Sequence, residues 1–180
     1  LTRGKQVSRL DGLMVEGGAR FGLRGRELDL SPLASMLALS DRLPHELRRF
    51  LLQSNPQAVL RDVAIAGRRN GQLRGSMRVE QLSIAAAGQR PGLSGLAGKL
   101  RFDEHGGVLR LDSGPVRVDW PVALRRPESV RLHGSLSVWR EGRGWSLGTG
   151  ALRLRGEDFG ANLRMALGFQ GDGSAPTLEL

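Results

Sequence analysis

The stretch that decides the fold runs Lys99-Leu100-Arg101-Phe102-Asp103-Glu104-His105-Gly106-Gly107-Val108-Leu109-Arg110-Leu111-Asp112. Leu100 and Phe102 fall on one side of an extended chain, and Arg101 and Asp103 fall on the other. The cluster Glu104-His105-Gly106-Gly107 then supplies residues suited to the positive φ that hairpin turns require. Beyond it Leu109 and Leu111 again oppose Arg110 and Asp112. Successive side chains of a strand point to opposite faces, so this period of two predicts two half-buried strands joined by a turn.

Outward from this hairpin the same period continues. Towards the C-terminus, Val116, Val118 and Trp120 oppose Arg117 and Asp119, and Val130, Leu132, Leu136 and Val138 oppose Arg131, His133 and Ser137. Leu152 and Leu154 oppose Arg153 and Arg155, and Leu163, Met165, Leu167 and Phe169 oppose Arg164, Ala166 and Gly168. Towards the N-terminus, Leu73, Met77 and Val79 oppose Arg74, Ser76 and Arg78, and Phe21 and Leu23 oppose Arg20 and Arg24. Turn chemistry separates the runs at Arg69-Asn70-Gly71, Glu141-Gly142-Arg143-Gly144 and Gly171-Asp172-Gly173-Ser174. The expectation is a mainly β chain: a curved antiparallel sheet or open half-barrel trough, with no βαβ alternation.

One interval changes period. Ser31-Pro32 reads as an N-cap with proline in the first turn, followed by Leu33, Met36 and Leu37 at helical spacing. After Asp41, residues Leu43, Leu47, Phe50 and Leu51 keep that spacing until Asn55-Pro56 stops it. Two short helices are therefore expected at 32–39 and 44–53, capping the open end of a sheet. The division is 1–72, N-terminal strands plus this helical insert, and 73–180, an antiparallel β meander, the two forming one continuous domain. Gln89-Arg90-Pro91-Gly92 is the expected internal joint. The chain reads as a piece of something longer.

Composition narrows the function classes. At 180 residues and 39% apolar, the chain can bury a core. No run of eighteen apolar residues suits a membrane helix, and the absence of cysteine excludes disulfides, thiolate metal sites and cysteine nucleophiles. The net charge is +9, and every basic residue except Lys5 and Lys99 is arginine. Such a surface suits nucleic acid, anionic headgroups or lipopolysaccharide phosphates. The arginines are strung along the whole chain rather than gathered in a stripe, which argues against nucleic acid. His45, His105 and His133 form no ligand spacing, no GxSxG elbow or Walker loop occurs, and the carboxylates fall in turns or outward positions. No enzyme, metal or cofactor is expected.

A set of ordered motifs carries a resemblance. They are Leu82-Ser83-Ile84, Gln89-Arg90-Pro91-Gly92-Leu93-Ser94-Gly95-Leu96-Ala97-Gly98, and Gly106-Gly107-Val108-Leu109-Arg110-Leu111-Asp112-Ser113. Val118-Asp119-Trp120-Pro121, Leu132-His133-Gly134-Ser135-Leu136, Trp139, Gly144-Trp145-Ser146-Leu147 and Ser174-Ala175-Pro176-Thr177-Leu178-Glu179-Leu180 follow. Upstream, Leu28-Asp29-Leu30-Ser31-Pro32-Leu33-Ala34 and Leu43-Pro44 through Asn55-Pro56 match a helical insert. In this order the chain resembles the YhdP-type branch of the AsmA-like superfamily. It departs where Gln57-Ala58 follows the post-helix proline and where Trp139 stands one residue late after Gly134, which suggests a bulge or shifted register. The resemblance implies a periplasmic protein of Gram-negative bacteria, tethered to the inner membrane by an anchor outside this chain. It further implies a β trough that moves phospholipid towards the outer membrane, with the remaining β segments of the full-length protein as partners.

The residues supply a mechanism consistent with this. About a dozen strands with roughly three inward apolar residues each leave an apolar area that two short helices cannot cover. Left open to water, each large aliphatic side chain costs about 1.5–3 kcal/mol, so an open lining is sensible when acyl chains occupy it. Carrying a sixteen-carbon chain through water costs on the order of 12 kcal/mol, a barrier that an apolar track removes. The candidate lining is Leu100, Phe102, Leu109, Leu111, Val116, Val118, Leu132, Leu136, Leu152, Leu154, Leu163, Met165, Leu167 and Phe169. The competing expectation is a closed β-sandwich acting as a structural or protein-docking module.

Overall fold

The alternating runs become the strands of a single sheet. The computed structural model describes residues 10–12, 14–39, 45–69, 71–88, 90–142, 144–169 and 177–179. It opens with β1 (Leu10–Asp11), β2 (Met14–Glu16) and β3 (Arg20–Asp29), then α1 (Leu30–Ala38) and α2 (His45–Ser54). The remainder is β4 (Gln57–Arg68), β5 (Leu73–Ile84), β6 (Gly92–Asp103), β7 (Gly106–Asp119), β8 (Glu128–Glu141), β9 (Gly144–Arg155), β10 (Gly160–Phe169) and β11 (Thr177–Glu179). Outside the described residues lie Asp41, Leu43, Pro44, Asn70, Gln89, Arg143, Gly171 through Pro176 and Leu180, and with them the side chains of Leu37, Leu47, Phe50, Leu167 and Phe169.

Each strand pairs antiparallel with its neighbour, in chain order from β3 to β11, with β1 and β2 both on the outer edge of β3. No described strand joins that edge to β11, so the sheet is open, and it is curled. The helices leave from the end of β3 and return at the start of β4. α1 packs against α2 and β4, the amide of Ala85 donates to the carbonyl of Ser54 at 2.8 Å, and Arg48 Nε donates to Ala38 O at 3.2 Å. They sit at one end of the sheet, where the β5–β6, β7–β8 and β9–β10 connections also lie. The opposite end carries the β4–β5, β6–β7 and β8–β9 turns.

Three local details differ from the expectation. α1 begins two residues earlier than 32, because Asp29 rather than Ser31 is its cap: Asp29 Oδ1 accepts the amide of Ser31 at 2.9 Å. α2 spans 45–54 and is closed by Asn55, whose φ of 40° is the left-handed conformation that ends helices. In the central hairpin the expected positive φ at Gly106 and Gly107 is not used. Asp103 Oδ1 instead accepts the amides of His105 and Gly106 at 2.8 and 3.1 Å and closes the turn through its side chain. Gly106 is needed for another reason, since a Cβ there would lie 2.2 Å from Val138 O on β8.

Bulges bend this single layer. Register shifts occur in every pairing from β4–β5 to β9–β10, and extra residues increase local twist. Between Asp112 and Pro115 the inward positions of β7 change from odd to even numbers. Ser113 there replaces a missing ladder step, its Oγ accepting from Ala97 N at 2.9 Å and donating to Ala97 O at 2.7 Å. The expected irregularity near Trp139 exists between His133 and Ser137, with the extra residue on β9. Thr149 Oγ1, beside that extra residue, donates to Leu163 O at 3.0 Å.

Two clusters form the core, one of Leu28, Ala58, Leu60, Val63 and Val79 and one of Leu96, Leu111, Val116, Val130 and Leu152. Leu82 and Leu109 pack against both. A flat single sheet would leave these side chains wet on one side. Curvature that brings apolar side chains of one face together is what buries Val116 completely.

Candidate functional site

Directly paired residues share a face, so the registers sort the side chains. Met77, Leu100, Leu109 and Leu136 form one row across β5 to β8, and Ile65, Gly75, Phe102, Gly107 and Val138 form the next across β4 to β8. Val116 pairs with Val130, Leu93 with Val118, Leu132 with Leu154, and Leu152 with Leu163. Met165 stands opposite Thr149, while Leu167 and Phe169 occupy the positions opposite Leu147 and Trp145. The register thus brings all fourteen candidate positions to a single face.

Exposure divides them. Leu111, Val116 and Leu152 are buried, at 2%, 0% and 8% exposure. Leu100, Phe102, Leu109, Val118, Leu132, Leu136, Leu154, Leu163 and Met165 are half-buried. The face opens towards the turn end, where Phe21, Val138 and Trp145 are exposed and Arg140 stands opposite Trp145. Trp145 is missing from the sequence-based lining, although its alternation with Leu147 was the signal that would have placed it there.

The other face is basic. Arg61, Arg78, Lys99 and Arg110 form one cross-strand row over β4 to β7. Arg61 pairs with Glu27 at 3.1 Å and Glu80 at 2.8 Å, and Arg78 pairs with Asp62. Near the turn end this face holds a groove of about 960 Å³. Met14, Glu16, Arg20, Arg24, Ala64, Ala66, Arg74, Ser76, Arg101 and Asp103 line it from the basic side, and Phe21, Ile65, Gly75 and Phe102 of the apolar rows also border it. Nothing in the sequence reading foresaw it, because it depends on which strands become neighbours.

His105 and His133 are exposed, 3.8 Å and 3.7 Å from Asp103 and Asp112. Asp103, Glu104 and His105 come within 4.8 Å of one another in an exposed turn, where Asp103 is engaged by backbone amides. Among the described residues no helix is long and apolar enough to cross a membrane.

An open, curled antiparallel sheet with one apolar face and a two-helix insert defines the class of β trough that the AsmA-like resemblance implied. The family model described as YhdP protein matches residues 2–180, and the chain belongs to the YhdP family, a family of bacterial envelope proteins. No curated protein and no solved structure matches it.

Proposed function

We propose that this chain is a segment of an envelope-spanning trough that shelters phospholipid acyl chains on its apolar face and so helps lipid pass between inner and outer membranes. The observation that carries the proposal is the continuity of that face. One row of apolar side chains follows another across β4 to β10, and among the described residues no second sheet is laid over it. The half-buried positions Leu100, Phe102, Leu109, Leu136, Leu154 and Met165 offer the contact surface, and Leu111, Val116 and Leu152 form the packed bed beneath. Transport along such a track needs no bond to be made or broken, so the segment works without catalysis. Membership of the YhdP family supports a lipid-transport role in the periplasm, with an inner-membrane anchor elsewhere in the protein and neighbouring β segments extending the track.

Photo-crosslinkers at Leu100, Leu136, Leu154 and Met165 of the full-length protein test this reading. Phospholipid adducts at these positions, and none at Arg110 or Arg153 on the opposite face, are expected. Capture confined to the arginine positions overturns the assignment. The complete burial of Val116 favours a second reading, in which the curl closes on itself as a structural module. That module would leave an apolar dye unbound until the chain unfolds, whereas the trough binds it in the folded state.

A further inference from the structure

We infer that the groove on the basic face is a second binding site, for a phosphate-bearing amphiphile, separate from the apolar face. Arg24 on β3 and Arg101 on β6 stand in one cross-strand row, with Ala64 and Ser76 between them. Arg74 stands in the adjacent row, between Ala66 and Asp103. Three strand spacings separate Arg24 from Arg101, about 14 Å at the backbone, a span that two extended arginine side chains close. The groove they border, about 960 Å³, is of ligand size.

Charge makes the case. Elsewhere on this face Arg61 is matched by Glu27 and Glu80, and Arg78 by Asp62. In the groove Asp103, which stands opposite Arg74, and Glu104 are also held by hairpin amides. Asp103 accepts the amides of His105 and Gly106, and Glu104 Oε2 accepts the amide of Leu73 at 3.4 Å. With Glu16 on the edge strand β2 the lining holds three carboxylates against Arg20, Arg24, Arg74 and Arg101, so one positive charge stays in excess. Clustered like charges disfavour one another, and a bound anion relieves that repulsion. Guanidinium groups present forked donors that match phosphate oxygens two at a time. Met14, Ala64 and Ala66 add an apolar surface that free phosphate would leave unused, so the ligand class is a phosphate ester carrying a short apolar portion.

Calorimetric titration of the 180-residue chain at low salt tests this, using dihexanoyl phosphatidic acid, dihexanoyl phosphatidylcholine and inorganic phosphate. Saturable binding of the phosphatidic acid is expected, stronger than that of either comparison ligand. Arg74→Gln combined with Arg101→Gln weakens it on the order of tenfold or more. Arg131→Gln combined with Arg155→Gln, a directly paired set on the same face, leaves it unchanged. All four positions are exposed, so melting temperatures stay close to that of the parent chain. Arg74→Lys with Arg101→Lys keeps the charge, loses the fork and falls between parent and glutamine variant. Equal loss in the Arg131/Arg155 variant, or no saturable binding, overturns the site. Equal affinity for inorganic phosphate overturns the amphiphile, and equal affinity for phosphatidylcholine transfers the ligand to the apolar face. Failure of the trough reading leaves these outcomes unaffected.

Discussion

Val116 and Trp145 stand on the same face of the sheet and serve it differently. Val116 is fully buried within the cluster around Leu111, whereas Trp145 is 45% exposed at the turn end. Burial predicts where truncation hurts stability. Leu111→Ala removes a packed side chain and is expected to cost about 2–5 kcal/mol in urea denaturation. Leu136→Ala, half-buried on the same face, is expected to cost clearly less while weakening lipid capture. Equal stability losses would mean that Leu136 belongs to the sealed core. The two-fold alternation made the membership of this face legible in the sequence for every candidate, since each is flanked by arginine, aspartate or a small residue. Depth within the face was not legible, because Leu111 and Leu136 look alike until the curl decides which is covered.

At the scale of elements, the chain relies on side chains that repair interrupted backbone. Asp29 caps α1, and its replacement by alanine is expected to cost about 1 kcal/mol, read as a lowered denaturation midpoint with an unchanged slope. Ser113 answers both the amide and the carbonyl of Ala97 at the β7 bulge. Ser113→Ala leaves both groups without that partner and is expected to cost about 1–3 kcal/mol, with loss of hydrogen-exchange protection at Ala97 as the local readout. The bulges left a trace in the sequence: inward residues are odd-numbered through Leu111 and even-numbered from Val116, and the same switch falls between Leu147 and Leu152. The helix start was misplaced for a physical reason. Ser31-Pro32 carries the usual capping chemistry, but the strand's last residue, Asp29, already supplies the oxygen.

For the whole molecule, the central fact is that one curled sheet keeps its apolar and basic sides apart over strands of about 40 Å. Fold class was legible because period two and glycine-rich turns hold on both sides of the helical insert, from Arg20 to Asp29 and from Gln57 to Phe169. The groove on the basic face was not, since it arises from the sum of twists and bulges over many strands. The three tryptophans offer a direct test of which face meets lipid. Trp145 lies on the apolar side at its open rim, while the ring of Trp139 covers Gly148 on the opposite side. The measurement is fluorescence quenching by phosphatidylcholine with brominated acyl chains, in a variant keeping only Trp145 and another keeping only Trp139. The account predicts strong, saturable quenching of Trp145 and little of Trp139; absence of quenching at Trp145, or equal quenching of both, would contradict it.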